Sequence, residues 1–440
     1  MLSRENNELM TRVGVGTPMG ELMRQYWLPV LFDWELAEPD GAPVRVRLLG
    51  EDLIAFRDSE GQLGLVANNC PHRGASMFFG RNEESGLRCV YHGWKFNTSG
   101  ACVDMPNEPP ESNFKHKVKI TAYPLVEKGG VIWAYMGPEN PAPPLPGFEW
   151  MDLPAEQRIG SKRVQETNWL QGMEGDIDQS HVSFTHSFLD PTDAANMSRG
   201  RVAMIRHLDR HPKFEVIDTD YGVCVGSGRT ASDTEKYWRV TQYLMPNHTM
   251  TGPYGDDPML NWRAWVPIDD VNVFVIGMNF HPLRALTDDE LERFRTKSGV
   301  WTVSPHMRKP ATSEPYGAWR VIPNLGNDFL IDREIQKTKS YSGISEFWAQ
   351  DAGPQYGMGV VCDRTKEYLG TSDLGIIATR RRLMGAVKEL QENGVTPPGV
   401  HEPDVYKQRP AAVIIPASES WFEATREHRA ARPGVNLPAV

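Results

Sequence analysis

The chain has 440 residues, 40% hydrophobic and 24% charged, which is globular composition with length for a sizeable core and more than one domain. Lys and Arg total 47 against 57 for Asp and Glu, a formal net charge of -10, so bulk charge does not suit a coat on nucleic acid. No apolar run approaches a bilayer span and the opening MLSRENNELM is polar; the expectation is a cytoplasmic protein that engages neither membrane nor nucleic acid. Five cysteines, Cys70, Cys89, Cys102, Cys224 and Cys362, are too few and too scattered for a disulfide scaffold, which turns attention to metal chemistry.

Residues 1–40 combine a short helical pattern, GELMRQYW, with the apolar LPVLF, and are expected to form an N-terminal arm packed on the larger, C-terminal domain. Residues 41–145 alternate apolar and polar positions around the turns Asp58-Ser59-Glu60-Gly61 and Ser99-Gly100, which predicts hairpins in a small all-β domain. The proline-dense NPAPPLPGFE cannot continue a ladder and marks its end. Residues 146–440 are mixed. SKRVQETNWLQGMEGDIDQSHVSFTHSF reads as helix, FEVIDTDYGVCVGSGR, YWRVTQYLM, NWRAWVPI and VNVFVIGMNF read as strands, and a late helix should stop at Asn393-Gly394. The fold class is α+β, with a helix-flanked antiparallel sheet in the second domain.

Two constellations carry chemistry. Cys70 and His72 form C-x-H, and sixteen residues later Cys89 and His92 form C-x-x-H. A buried cysteine beside a hydrogen-bonded histidine accounts for one such pair, not for two with glycines just beyond. Two thiolates and two imidazoles suit a tetrahedral zinc, although zinc sites more often use C-x-x-C. They also suit a [2Fe-2S] centre in which histidines replace cysteines on one iron. The second constellation is Asp178, His181 and His186. The offset of three puts the first two on one helical face, while the offset of five requires a broken helix for both imidazoles to converge. Two histidines and a carboxylate would hold a mononuclear iron with open positions.

The first constellation, down to CPHRG and YHGW, resembles the Rieske family, and that resemblance implies that Cys70 and Cys89 bind one iron of a [2Fe-2S] cluster and His72 and His92 the other. Cys102 is outside the family's ligand pattern and reads as buried filler or a neighbour of the ligands. D-x-x-H-x(4)-H extends the resemblance to the Rieske non-haem iron ring-hydroxylating oxygenases. There Asp178 would bridge His181 to the Rieske histidine of a neighbouring subunit, with His92 its partner, and His181 and His186 would hold Fe(II). The third ligand must come from downstream: Asp351, after Gln350, matches the family's (E/Q)-D element placed before a helix. Asp328 and Asp363 are the alternatives, Asp363 reading also as an ion-pair partner of Arg364.

GTPMGELMRQYW, VRVRLLGEDLIAFR, FGRNEE, CVYHGWKF, CVDMPNEP and DRTKEYLGTSD look like the phthalate dioxygenase group of aromatic catabolism. The resemblance implies a terminal oxygenase of one subunit type, a head-to-tail homotrimer or stacked hexamer. It would use O2 and electrons from NAD(P)H, delivered by a separate flavin and [2Fe-2S] reductase. The expected reaction is cis-dihydroxylation of an aromatic carboxylate, phthalate or a substituted benzoate, with monooxygenation or O-demethylation as the alternative. A soluble electron-transfer protein or a zinc-stabilised binding protein are readings of other classes. Burying a substrate carboxylate requires a cation; Arg206, His207, Arg239 and Arg263 are the candidates. Met245 and His248 are expected in the pocket wall, where they favour a less polar ring and speak against phthalate, and Ser180 and Ser183 could orient a polar group.

Overall fold

The computed structural model describes residues 2–193, 200–255, 257–296, 302–435 and 440. Two helices open the chain, each capped by a hydroxyl: Ser3 accepts from the Asn6 amide before Arg4–Thr11, and Thr17 accepts from the Gly20 amide before Pro18–Arg24, with Pro18 at the first helical position. Both helices lie against the long helix Leu374–Asn393. The apolar LPVLF does not stay with them. Strand Trp27–Phe32 pairs antiparallel with Val131–Tyr135, which also pairs with Leu125–Lys128, so the 1–40 stretch contributes both to the packing on the C-terminal part and to a sheet of the N-terminal part.

The hairpins expected from the alternating pattern form two four-stranded antiparallel sheets. One runs Val44–Leu48, Glu51–Arg57, Leu63–Ala67, Ala122–Tyr123; the other runs Arg81–Asn82, Leu87–Arg88, Lys95–Phe96, Cys102–Asp104. Asp58 closes the first turn, its Oδ1 accepting from the Glu60 and Gln62 amides, and Asn97 does the same for Ser99 and Ala101.

The C-terminal part is built on an eight-stranded antiparallel sheet. Its order is Arg158–Gln165, Val273–Phe280, Leu260–Pro267, His248–Met250, Glu235–Leu244, Gly222–Thr230 and Lys213–Asp218, with Ala411–Pro416 pairing the first half of Glu235–Leu244. SKRVQ, read from sequence as helix, is therefore an edge strand, and only Trp169–Ile177 of that stretch is α-helical. The reason lies in pairing. Residues 158–165 find a complete ladder against Val273–Phe280, and tertiary pairing overrides a weak helical pattern.

Alternation gives the sheet two unlike faces. One carries Trp262 and His248, which join Phe148, Trp150 and Trp133 in an aromatic cluster with ring centroids 4.8–6.2 Å apart; Trp133 belongs to the N-terminal part, so this cluster locks the two parts together. The other face, with Thr249, Arg263 and Trp265, receives the helix Trp169–Ile177. That approach needs Gly172: a Cβ there would sit 2.3 Å from the Trp265 ring. Among the described residues no helix is long and apolar enough to cross a membrane.

Candidate iron centres and active site

Two loops of matching construction carry Cys70, His72, Cys89 and His92. The Gly74 amide donates to the Cys70 carbonyl at 2.9 Å and the Gly93 amide to that of Cys89 at 3.0 Å, while the cysteine amides donate to Ala75 and Trp94, both at 2.8 Å. Both turns need φ near +76° and +79° at their glycines, a left-handed conformation that strains any side chain. The loops bury both cysteines and bring the His72 and His92 rings to a centroid separation of 4.4 Å. Trp94 stacks on His72 at 4.3 Å and is held by its indole N–H donating to Asn107 at 2.8 Å.

This donor set fits an iron–sulfur cluster. Burial, with Cys89 adding to it, pushes the Cys70 thiol up to about 11, so the protein offers little to stabilise a free thiolate and a bound cation must do so. His72 Nδ1 is buried with no hydrogen-bond partner, a cost that ligation removes. Cys102 is buried beside them, its Sγ donating to the Asp104 carbonyl at 3.5 Å, consistent with packing rather than ligation.

The second constellation depends on where the helix stops. Trp169–Ile177 ends at Asp178, whose backbone is extended (φ -69, ψ 115), and a 3-10 turn, His181–Ser183, follows. Asp178 Oδ1 accepts from the Ser180 amide at 2.6 Å and, more weakly, from that of His181 at 3.4 Å, so the carboxylate shapes the turn that its own helix yields to. The break is the one that an offset of five demands, and it brings the His181 and His186 rings to 5.2 Å. Asp351 sits inside helix Phe347–Gly357 rather than ahead of it. Its Oδ1 lies 3.3 Å from His181 Nε2 and 3.0 Å from His186 Nε2, and the three donor atoms fall within 4.8 Å of one another. The alternatives are elsewhere: Asp328 is exposed, and Asp363 is exposed and pairs with Lys366 at 2.9 Å. The expected Asp363–Arg364 pair is absent, because Arg364 is buried against Glu174 at 2.9 Å.

The outer nitrogens are equally defined. His181 Nδ1 lies 3.3 Å from Asp178 Oδ2, and His186 Nδ1 lies 2.8 Å from Gln350 Oε1, whose own amide nitrogen donates to the Ile344 carbonyl at 2.7 Å. A proton on each Nδ1 leaves both Nε2 atoms free to ligate, aimed at Asp351. Burial disfavours the His181 imidazolium, but the Asp178 and Asp351 carboxylates outweigh it and hold the metal-free ring up at about 10. His186, where burial outweighs Asp351, is shifted down, and the two imidazoles pull the Asp351 carboxyl far below the usual range against its burial. A divalent cation held by His181, His186 and Asp351 would take the place of that proton, and two histidines with one carboxylate would leave coordination positions open.

Three buried guanidinium groups surround the turn that carries His181. Arg206, on helix Arg201–Leu208, donates to the Val182 carbonyl and to Tyr254 Oη at 3.2 Å. Arg239 donates to Gln179 Oε1 at 2.5 Å and the Gly252 carbonyl at 2.9 Å. Arg229, which sequence reasoning missed, donates to the Gln179 carbonyl at 2.7 Å and Ser183 Oγ at 3.4 Å. Its one mark in GVCVGSGRT is a lone arginine in a strand of otherwise small and apolar residues. Arg263 is on the same face, but its charge is matched by Asp176 at 2.7 Å.

Other expected pocket residues lie apart. His248 is on the opposite face, between Phe148 and Trp262, where burial pulls it down to about 3. Met245 is fully buried at the strand end, its carbonyl accepting from Tyr406 Oη at 2.8 Å. Strand alternation corrects the wall expectation for His248: Thr249, not His248, faces the iron side. His207 is only half-buried and turns toward Arg210. Ser183 is buried under Arg229, and the Ser180 amide binds Asp178.

Comparison with known proteins agrees with this arrangement. Residues 26–124 match the family model for the Rieske [2Fe-2S] domain, and residues 134–436 match that described as LigXa C-terminal domain like. The chain is 39% identical over 96% of its length to the 3-chlorobenzoate-3,4-dioxygenase oxygenase subunit of Comamonas testosteroni, covering 98% of that protein. It is 36% identical over 89% of its length to the phthalate 4,5-dioxygenase oxygenase subunit of Pseudomonas putida, covering 87% of it. A 5,5'-dehydrodivanillate O-demethylase oxygenase subunit from Sphingobium is 33% identical, with 94% and 87% covered. Dicamba monooxygenase bound to dicamba shares the fold at a TM-score of 0.57 and 15% identity, with 84% of this chain and 98% of that one covered. By its two domains, its donor sets and these relatives, the chain belongs to the Rieske-type aromatic ring-hydroxylating oxygenases, as an oxygenase (alpha) subunit with a Rieske [2Fe-2S] cluster and a mononuclear iron.

Proposed function

We propose that the chain is a terminal oxygenase that hydroxylates an aromatic carboxylate, phthalate or a substituted benzoate, by cis-dihydroxylation, using O2 and electrons that a separate reductase draws from NAD(P)H. The observation that carries the substrate class is the buried positive charge of Arg206, Arg229 and Arg239 around the His181 turn, at 7%, 1% and 6% exposure. Among the described residues no carboxylate pairs with any of the three. Buried cations without a counter-charge are costly, and an anionic substrate answers that cost at the place where it must be held for reaction.

In this reading His181, His186 and Asp351 hold ferrous iron, which supplies O2 activation with electrons that arrive singly through the cluster at Cys70, Cys89, His72 and His92. Asp178 keeps a proton on His181 Nδ1 and Gln350 keeps one on His186 Nδ1, so both imidazoles stay neutral and oriented. The side chain of Asp178 remains about a quarter exposed, which leaves an edge for His92 of a neighbouring copy, and this is the electron path we propose. The relation to an O-demethylase supports a second reading, one-atom insertion with loss of a methoxy methyl group.

The test is turnover of benzoate-type acids and their amides by the holoenzyme with a flavin and [2Fe-2S] reductase under 18O2. Dihydrodiol acids with both oxygens labelled are expected from the acids and little product from the amides. An unlabelled phenolic acid from a methoxybenzoate, with formaldehyde released, would favour the second reading, and equal turnover of amides would remove the carboxylate.

A further inference from the structure

Arg163 is a buried cation with no part in ligation. It lies on edge strand Arg158–Gln165 opposite Val275, and Val275 is opposite Trp265 on the next strand, so Arg163 and Trp265 share one row and the face that receives helix Trp169–Ile177. Its guanidinium is held between two indoles, 5.9 Å from the Trp265 ring and 5.4 Å from that of Trp348. Both rings lead to the metal donors. Trp265 donates to Asp176, two residues before Asp178. Trp348 is on the helix of Asp351, three residues before it, an offset that turns both side chains to the same side.

No partner neutralises that charge. Arg163 is 6% exposed and, among the described residues, makes no hydrogen bond through its side chain and no ion pair. The nearby acids are engaged: Asp176 by Arg263 at 2.7 Å, by Thr249 and by the Trp265 indole, and Glu346 by Ser304 and the Trp348 indole at 3.3 and 3.2 Å. Asp351 directs Oδ1 to the two imidazoles. Burial pulls the Arg163 guanidinium down to about 10, and the carboxylate that opposes this most is Asp351, ahead of Asp176; the group is charged at neutral pH. Two indole faces stabilise a guanidinium without cancelling its charge, which therefore acts at a distance in a setting where water screens little. Asp178 and Asp351 balance the two charges of a ferrous ion; a ferric ion adds one more positive charge, against which Arg163 stands.

We propose that Arg163 is a positioning residue for the mononuclear iron, its fixed charge favouring the ferrous over the ferric state and so drawing the electron of the reduced cluster toward that iron. In the transfer the cluster is oxidised by one electron and the mononuclear iron is reduced by one. This rests on the reading of His181, His186 and Asp351 as iron ligands and is independent of the charge of the substrate.

The test is an anaerobic redox titration of the iron-loaded holoenzyme, followed by EPR of the ferric mononuclear iron and, separately, of the reduced cluster, in wild type, Arg163→Gln, Arg163→Met and Arg163→Lys. Loss of the charge should raise the ferric-to-ferrous ratio at a given potential by about tenfold or more, a fall of ~59 mV in midpoint for one electron. Arg163→Lys should stay within about threefold of wild type, and the cluster midpoint should be unchanged throughout. Met fills the slot between the rings with an unbranched apolar chain, so the comparison survives if the Gln variant folds poorly. A mononuclear midpoint equal to wild type in the Gln and Met variants would make Arg163 a structural strut and overturn the proposal. A midpoint that falls as far in Lys as in Met would assign the effect to the planar group rather than to charge, and a cluster midpoint that moves with the mononuclear one would mark a general disturbance; either result overturns it. A wild type with no ferric mononuclear signal would overturn the iron reading as well, which tells that failure apart from failure of the proposal alone.

Discussion

At the scale of single residues the two centres differ in how they were legible. The candidate Rieske ligands are close in sequence and occur in pairs, so spacing alone narrows the chemistry to zinc or iron–sulfur, and the resemblance selects between them. Asp351 is 165 residues beyond His186, and no local pattern could place its carboxylate 3.0 Å from that imidazole. Gln350 was legible only as the neighbour of Asp351; its hydrogen bond to His186 Nδ1 needs the helix geometry that turns both side chains to one site. Asp178 provides the sharpest test at this scale. Because it contacts the outer nitrogen of His181 and shapes the turn through two amides, Asp178→Asn should keep both iron centres while steady-state turnover falls by about 10–100-fold or more. Metal analysis alongside kinetics checks this, and loss of the mononuclear iron alone would make Asp178 a ligand.

At the scale of elements, strand text with alternation was read well and helix text less well. The strands from Gly222 to Phe280 appear where alternating apolar residues predict them, and Leu374–Asn393 stops on Gly394 at φ +66, as an αL cap requires. What misled was the run from Ser161 to Phe188, where strand, helix and 3-10 turn share one polar–apolar rhythm. A buried ion network holds the helix of that run. Glu174 binds Arg364 at 2.9 Å and Arg380 at 2.6 Å, and Arg364 also donates to Asn7 at 3.3 Å, joining the helices Trp169–Ile177 and Leu374–Asn393 to the N-terminal helix Arg4–Thr11. Burial raises the Glu174 carboxyl, but the two arginines outweigh it and hold it below its ordinary 4.5. Its stabilisation is therefore present above that value and is lost as pH falls through the lowered folded one. Glu174→Gln leaves the buried Arg364 guanidinium without a carboxylate, while Arg380 keeps Glu367 at 2.6 Å, and should cost about 3–5 kcal/mol at pH 7. Denaturant melts should show the gap from wild type closing only under acid conditions; a gap that is independent of pH across that range would contradict the assignment.

For the whole molecule, the question is how electrons reach the mononuclear iron. Val90 and Tyr91 are 55% and 58% exposed beside His92, and the Tyr91 and His92 rings are 4.1 Å apart. In the proposed electron path, these exposed side chains would lie where the cluster edge of one copy faces the Asp178 edge of the next. Composition and charge could not report this exposure, since it is a property of the folded surface. Tyr91→Asp should leave the visible cluster spectrum unchanged while sedimentation shifts toward smaller species and reduced protein loses single-turnover product. A variant that keeps both assembly and turnover would remove this face from the electron path.

Two separate iron centres in one chain are tested most directly by iron and acid-labile sulfide per chain, with EPR of the reduced protein, in wild type and Asp351→Ala. About three irons and two sulfides are expected in the wild type. The variant should hold about two irons and two sulfides with the Rieske-type signal unaltered. Equal iron in both proteins, or a cluster signal lost with Asp351, would contradict the placement of the second centre at His181, His186 and Asp351.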